Sequence, residues 1–302
     1  MLRRMWLPIV LLLGSGIFSA ALAEGARLAY LIEQTRYLVE AREVVRKSHG
    51  KDIAAALRPL GFAVQKYENL NAEEFARALA EIFKDSQGAE AAIIYVSAYA
   101  LGHTDDGGGV LPTDLAAARP VERAVSVRSL LETPQADDLR LVIIDAPEDA
   151  GSQLGLDLSP DYSPFLSQPA SVPKDTIGVI TSVAPWGGYT GLRPISRTHL
   201  FPRNFKLFLQ KPGRSARDLL NKVAISTFYE SQHRQYPAFF GGPEKPYVFT
   251  RQDEVSDITA WLELLARPTK DGLTAFIKAN PDSIYVEFAR KKLEELEKLG
   301  QD

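Results

Sequence analysis

The sequence predicts an α/β fold: a three-layer sandwich with a mostly parallel sheet flanked by helices, followed by a short C-terminal helical segment. Three observations carry this. Short apolar runs alternate along the chain with amphipathic stretches of helical period. Two of the runs, Ala91–Ser97 (AAIIYVS) and Leu139–Asp145 (LRLVIID), are apolar almost throughout, as strands covered on both faces must be. Residues 271–299 repeat apolar positions at helical spacing, with Lys and Glu on the other side.

Taken in order, Arg27–Ile32 (RLAYLI) has the composition of a buried strand. Asp52–Leu60 reads as a helix stopped by Gly61, and Phe62–Tyr67 alternates as a strand does. Asn71 is a helix cap, with Glu73 and Glu74 in the first turn and Phe75, Leu79 and Phe83 as the apolar positions. Ala91–Ser97 follows as a strand. Ser126 caps a short helix to Glu132. Leu139–Asp145 and Thr176–Val183 are further buried strands, and Arg217–Phe228 is an amphipathic helix. The stretches Asp149–Pro173 and Pro185–Pro202 are rich in Pro, Gly, Ser and Asp and read as long loops. A boundary falls near Arg267-Pro268, giving expected units of 1–23, 24–267 and 268–302. Beyond it, two helices are broken at Asn280-Pro281-Asp282-Ser283. Sheets of this kind place sites at the carboxyl ends of strands, which directs attention to the residues after Ser97, Asp145 and Val183.

Composition narrows the chemistry. The chain has 302 residues, with 35 Lys and Arg against 38 Asp and Glu. Such a balance gives no support for nucleic-acid binding, which needs clustered cations. There are no cysteines among the 302 residues. That removes disulfides, thiolate metal sites and any cysteine nucleophile. The start has the layout of a secretory leader. Arg3 and Arg4 precede the apolar run Leu7–Phe18, and Ser19–Ala23 supplies an A-x-A pattern. The run is shorter than the roughly 20 residues a membrane-spanning helix needs. Cleavage is expected after Ala23, which would place the body outside the cytoplasm, in the periplasm of a Gram-negative host. Membrane contact is expected only through an uncleaved leader.

The segments at the strand ends resemble the bacterial caspase-like peptidases, the orthocaspases and metacaspases. Typical family text runs AAALRELGF, then FYYAGHG, then LVILDACRD. This chain reads AAALRPLGF, IYVSAYA and LVIIDAPED, and Val110–Asp114 resembles the family's YLVPVD loop. The resemblance covers roughly Arg27 to Phe240. It implies a caspase-like sheet, and aligns the family's catalytic His with Tyr99 and its nucleophilic Cys with Pro147. Pro147 offers neither a thiolate nor a backbone N–H for an oxyanion. A phenol such as that of Tyr99 titrates near 10 and is a poor base at neutral pH. Asp145 keeps the family's Asp two residues before the nucleophile, which the resemblance implies in gripping a basic substrate residue. The family's acid in the first helix corresponds to His49, which puts that grip in doubt.

Ser97 could attack a substrate with Tyr99 or His103 as partner, although no G-x-S-x-G turn surrounds it; the alternative is a hydroxyl satisfied at a strand end. Asp105, Asp106 and Asp114 around Gly107–Gly109 could hold a hard cation, or form an ordinary solvated loop. His49, His199 and His233 lack metal-ligand spacing. No metal and no cofactor is expected. Trp186, Tyr189, Phe239 and Phe240 are expected in loops beside Gly and Pro, where they either line a groove or cap the core edge. The C-terminal stretch Phe276–Tyr285 resembles a half-repeat found after many bacterial caspase-like domains. It is expected to pack on the main domain or to receive a partner.

The expectation is therefore a secreted or periplasmic caspase-like pseudoenzyme that binds a peptide or protein without cutting it. Its catalytic positions are degenerate, Tyr99 and Pro147. Its binding positions are Tyr99, Asp145, Pro147 and Trp186. An active caspase-like relative or an envelope protein is the expected kind of partner. The rival expectation is a hydrolase with relocated chemistry at Ser97 or in the Asp105–Asp114 loop.

Overall fold

A computed structural model describes residues 25–39, 42–101, 108–114, 120–146, 154, 172–181, 200–209, 211, 213–249, 260–262, 264–281, 283 and 285–299. The chain opens with strand β1 (Arg27–Glu33), then a ribbon of β2 (Arg36–Val39) and β3 (Arg42–Val45). Helix α1 (Gly50–Leu57) passes into a 3₁₀ turn at Arg58–Leu60, and β4 follows (Phe62–Glu68). Pro59 has no N–H to continue the α-helical ladder, and Gly61, at φ 78°, turns the chain into β4. This divides the stretch expected as one helix to Leu60.

Helix α2 (Ala72–Asp85) precedes β5 (Ala91–Ser97). Asn71 and Glu74 form a reciprocal capping box at its start, each side chain accepting the other's backbone N–H at 2.9 Å. The buried stripe of α2 is Phe75, Ala78 and Ile82. Phe83, expected on that stripe, is instead 45% exposed, because it follows Ile82 around the turn. Short strands β6 (Ala100–Leu101), β7 (Gly109–Val110) and β8 (Val125–Ser126) form a small antiparallel sheet around helix α3 (Pro120–Arg123). Ser126 caps helix α4 (Val127–Glu132), accepting the Ser129 N–H at 3.1 Å. Then come β9 (Leu139–Asp145), β10 (Thr176–Ile180), α5 (Leu200–Leu209), α6 (Ala216–Glu230) and β11 (Ala238–Gly241). Helices α7 (Lys270–Ala279) and α8 (Val286–Leu299) end the described chain.

The main sheet has six strands in the order β11-β10-β9-β5-β1-β4. Every pairing is parallel except β10 with the edge strand β11. Alternate residues of each strand feed two cores. Ile94, Val96, Val142 and Ile144 pack with Phe75, Ile82, Leu130 and Leu131 on the α2/α4 face. Ile93, Tyr95, Leu141 and Ile143 pack with Ile53, Leu57, Phe205, Leu219 and Val223 on the α1/α5/α6 face. Helices on both faces explain why the central strands are apolar throughout.

Two expectations require correction. Phe239 and Phe240 lie in β11, paired with Val179 and Gly178, rather than in a loop. A four-residue edge strand that follows Pro237, ends in Gly241 and is followed by Gly242 carries little strand signal. Leu200–Pro202, assigned to the end of a long loop, begin α5. A proline is tolerated there because first-turn N–H groups lack helical partners anyway.

The amino-terminal pole of the sheet is tied by Arg27, only 8% exposed. It donates to Glu90 Oε1 at 3.1 Å and to the carbonyls of Leu60 and Phe249 at 3.0 and 3.1 Å. The Tyr247 hydroxyl donates to the same Glu90 oxygen at 3.1 Å. The C-terminal helices have their own core of Trp261, Leu273, Phe276 and Ala289. The Trp261 ring lies 5.7 Å from Phe276 and stacks on Tyr285 at 5.9 Å. Among the described residues, no helix is long and apolar enough to cross a membrane.

Candidate functional site

The register of the sheet lines up its last residues. Glu33 pairs with Ser97, and Ser97 with Asp145. All three side chains share the α1/α5/α6 face, because each lies two residues beyond a residue of that core. Thr181 continues the row one residue past β10. The carboxyl ends of the strands thus converge on one polar row, as the fold class dictates.

Each member of this row is already engaged. Asp145 is 2% exposed. Its Oδ2 accepts from the Tyr95 hydroxyl, and its Oδ1 accepts from the Thr181 hydroxyl at 2.9 Å. Tyr95 stands opposite Ile143, so its ring reaches diagonally to Asp145. Burial holds the Tyr95 phenol well above its ordinary pKa, and the Asp145 charge adds to this. Tyr95 therefore keeps its proton and donates a hydrogen bond to the carboxylate. Gln235 extends the network, donating to the Thr181 carbonyl at 2.6 Å. Glu33 accepts from Lys66 Nζ at 2.9 Å and from the Ser48 hydroxyl.

Ser97 is fully buried, and its Oγ accepts from Arg46 Nη1 at 3.0 Å. Among the described residues no histidine bonds to it, and its partner is the Arg46 guanidinium. Arg46 itself is 5% exposed and lies with its guanidinium carbon 5.5 Å from the Tyr99 ring centre. Its Nε is buried without a hydrogen-bond partner among the described residues. Tyr99 is 1% exposed. Its backbone N–H donates to the Tyr37 hydroxyl at 2.9 Å, and the two rings sit 4.8 Å apart at 51°. The Tyr37 hydroxyl in turn donates to the Leu111 carbonyl at 3.4 Å. Burial raises the Tyr37 pKa, against the opposing pull of the Arg46 charge.

The structure thus brings Tyr99, Ser97 and Asp145 to one end of the sheet. Pro147, Trp186, Tyr189, His103, His199, Asp105, Asp106 and residues 1–24 lie outside the described residues. Asp114 accepts from the Ala72 N–H at 2.8 Å and pairs with Arg123. His49 precedes α1, with Nδ1 3.8 Å from Asp52. His233 packs on Phe228 at 4.7 Å, after the end of α6. Among the described residues no three acids or histidines gather as a metal site.

Sequence reasoning missed Arg46, Tyr37, Tyr95 and Thr181. Tyr95 carried a signal: a tyrosine inside an apolar strand needs a polar partner, and Asp145 ends the neighbouring strand. Arg46 and Tyr37 had a weaker one, the alternating pair RYLV and REVV on either side of Glu40-Ala41.

Comparison with known proteins agrees with this architecture. The crystal structure of caspase-1 from Spodoptera frugiperda superimposes with a TM-score of 0.50 at 17% identity, covering 76% of this chain and 91% of that one. The structure titled pro-sf-caspase-1 gives 0.49 at 17% identity, over 74% and 94%. No curated protein matches in sequence. A family model described as the caspase domain matches residues 26–247. With that match spanning most of the chain, over the six-stranded sheet and α1 to α6, this protein belongs to the caspase domain family.

Proposed function

We propose that this caspase-domain protein is an exported, non-hydrolytic module that binds a peptide or protein at the strand ends. One observation carries the reading. The position of the family's histidine is a buried tyrosine locked to Tyr37 and Arg46, in a sequence with no cysteine to attack a carbonyl. Loss of one member of a catalytic triad costs about 10⁴ to 10⁶ in turnover, and loss of a second adds little. Ser97 does not replace the thiol, since its oxygen faces a guanidinium rather than a base. Binding survives such losses, because strand addition to a sheet draws on backbone groups and side-chain pockets rather than on a nucleophile. In this reading Tyr99 and Asp145 form the floor of the site, and Pro147 and Trp186 are its other binding positions. The partner is an envelope protein or an active caspase-like relative. The leader Met1–Ala23 directs export.

The test is incubation of the purified chain with a mixed-sequence fluorogenic peptide library, with and without calcium, beside Ser97→Ala and Tyr99→Ala variants. The expected result is no hydrolysis above the variants. Turnover that disappears in either variant would show hydrolytic chemistry at this site and overturn the proposal. Cell fractionation and the mass of the mature N-terminus check the export step, with Glu24 as the expected first residue.

A further inference from the structure

Resting on that binding reading, we infer that the β2–β3 ribbon is a latch that closes the strand-end site from within, with Tyr37 as its bolt. Two of the side chains that cover Ser97 and Tyr99, Tyr37 and Arg46, come from this ribbon and its exit, beside Leu111 and Leu154 in the same cluster. Tyr37 is completely buried, and its hydroxyl bridges the backbone on either side of the β6–β7 pair by taking the Tyr99 N–H and giving to the Leu111 carbonyl. Arg46, one residue past β3, lies over the Tyr99 ring and bonds Ser97.

The ribbon is fixed at its root and lightly held along its body. At the root, Arg46 N–H donates to the Thr35 carbonyl at 2.9 Å. Asn69 stands in the left-handed region at φ 54°, where asparagine is tolerated. Its Oδ1 collects the Thr35 N–H, the Thr35 hydroxyl and the Arg36 N–H, all within 3.0 Å. Along the body, among the described residues, one backbone bond leaves the ribbon: Leu38 N–H to the Thr113 carbonyl, at a long 3.4 Å. Leu38 and Val45 on the outer face are 60% and 67% exposed. A two-stranded ribbon has little stability of its own. What keeps it down is the packing of Tyr37 and Arg46, with partly buried Val44 opposite Tyr37 on the inner face.

The closed state also carries a penalty that opening relieves. Arg46 Nε is buried without a hydrogen-bond partner among the described residues. An unpaired donor on a buried cation is costly, and water or a partner's acceptor would satisfy it once the ribbon lifts. A fixed root, a lightly held body and a frustrated cation together describe a hinged cover rather than a core element.

Hydrogen–deuterium exchange on the full chain tests this with Tyr37→Phe and Tyr37→Ala. The phenylalanine variant keeps the ring and removes only the hydroxyl. Exchange of the Tyr99 amide is expected to rise about tenfold, the effect of losing one buried hydrogen bond. The Ile93 and Ile143 amides, in mid-sheet, should not change. Modification of Arg46 by phenylglyoxal, mapped by mass spectrometry with exposed Arg36 as reference, should accelerate several-fold in both variants. Unchanged Tyr99 exchange and Arg46 reactivity in both variants would overturn the latch. So would a matching rise at Ile93 and Ile143, which would make Tyr37 an ordinary core residue. A third arm measures retention on an immobilised random-peptide array. Faster Tyr99 exchange with greater retention supports both latch and binding reading. Faster exchange with no gain in retention keeps the latch and overturns the binding reading. Greater retention without faster exchange overturns the latch.

Discussion

Replacing Tyr95 by phenylalanine isolates the central bond of the polar row. The ring is fully buried, so its packing is retained and only the hydroxyl is lost. Asp145 Oδ2 then loses its donor, while Oδ1 keeps Thr181 at 2.9 Å. A bond to a charged acceptor contributes about 1.5–3 kcal/mol, against about 1 for a neutral pair. At 2% exposure the carboxylate has almost no water to replace the lost donor, so the upper half of that range applies. The expected loss is about 2–3 kcal/mol, or roughly 4–12 °C in Tm for a domain of this size. Urea denaturation followed by circular dichroism measures it as a lower midpoint with an unchanged slope. Tyr30→Phe is the internal control: Tyr30 is 2% exposed in the opposite core, feels Asp85 only through its charge, and among the described residues has no hydrogen bond to a charged group. Its loss should stay under about 0.5 kcal/mol, within the range of a substitution that removes no named interaction. A Tyr95→Phe variant as stable as Tyr30→Phe would refute the claim that this hydroxyl holds the Asp145 charge.

Three further outcomes follow from the same coordinates. Burial raises the phenol pKa values of Tyr30, Tyr37, Tyr67 and Tyr95 in the fold, with added pushes from Asp85 on Tyr30, Glu81 on Tyr67 and Asp145 on Tyr95. The stability they confer is complete below their unfolded value of about 10 and is lost as pH rises from there toward the folded values. Unfolding should thus begin above about pH 10 with phenolate absorbance rising in step, and Tyr95→Phe should make the pH dependence shallower. Gly178→Ala would set a methyl group 2.6 Å from Phe240 Cζ and 2.9 Å from Leu131 Cδ2. Overpacking at the β10–β11 pair should cost about 1–3 kcal/mol, read from the urea midpoint. Asn71→Ala removes the cap of α2 and should cost about 1 kcal/mol in the same assay.

The parallel sheet was legible because burial on both faces leaves a chemical trace. Ala91–Ser97 and Leu139–Asp145 begin and end where their composition says. The α2 start was equally plain, since Asn71 and Glu74 are the two halves of a local bond pattern. Elements defined by partners distant in sequence were not legible. β11 is four residues on an edge and exists because β10 pairs with it. The ribbon of β2 and β3 mixes exposed Leu38 and Val45 with buried Tyr37, which blurs its alternation. At the site, Tyr99 and Asp145 could be placed by the flanking strand text. Arg46 could not, because its role depends on a ribbon folding back across two strands.

The Arg27 cluster has a consequence for how the domain can be carried. Arg27 opens β1, and the carbonyl it holds at Phe249 lies where the chain has returned from β11. Entry and exit therefore share one pole, and the polar row lies at the other. A module built this way can be spliced between two neighbours, or hung from either, without turning its working end toward its attachment points. Fusion of a bulky reporter directly before Arg27 or directly after Phe249 should leave the opposite pole unobstructed. A chain whose ends left beside Asp145 would not have that freedom.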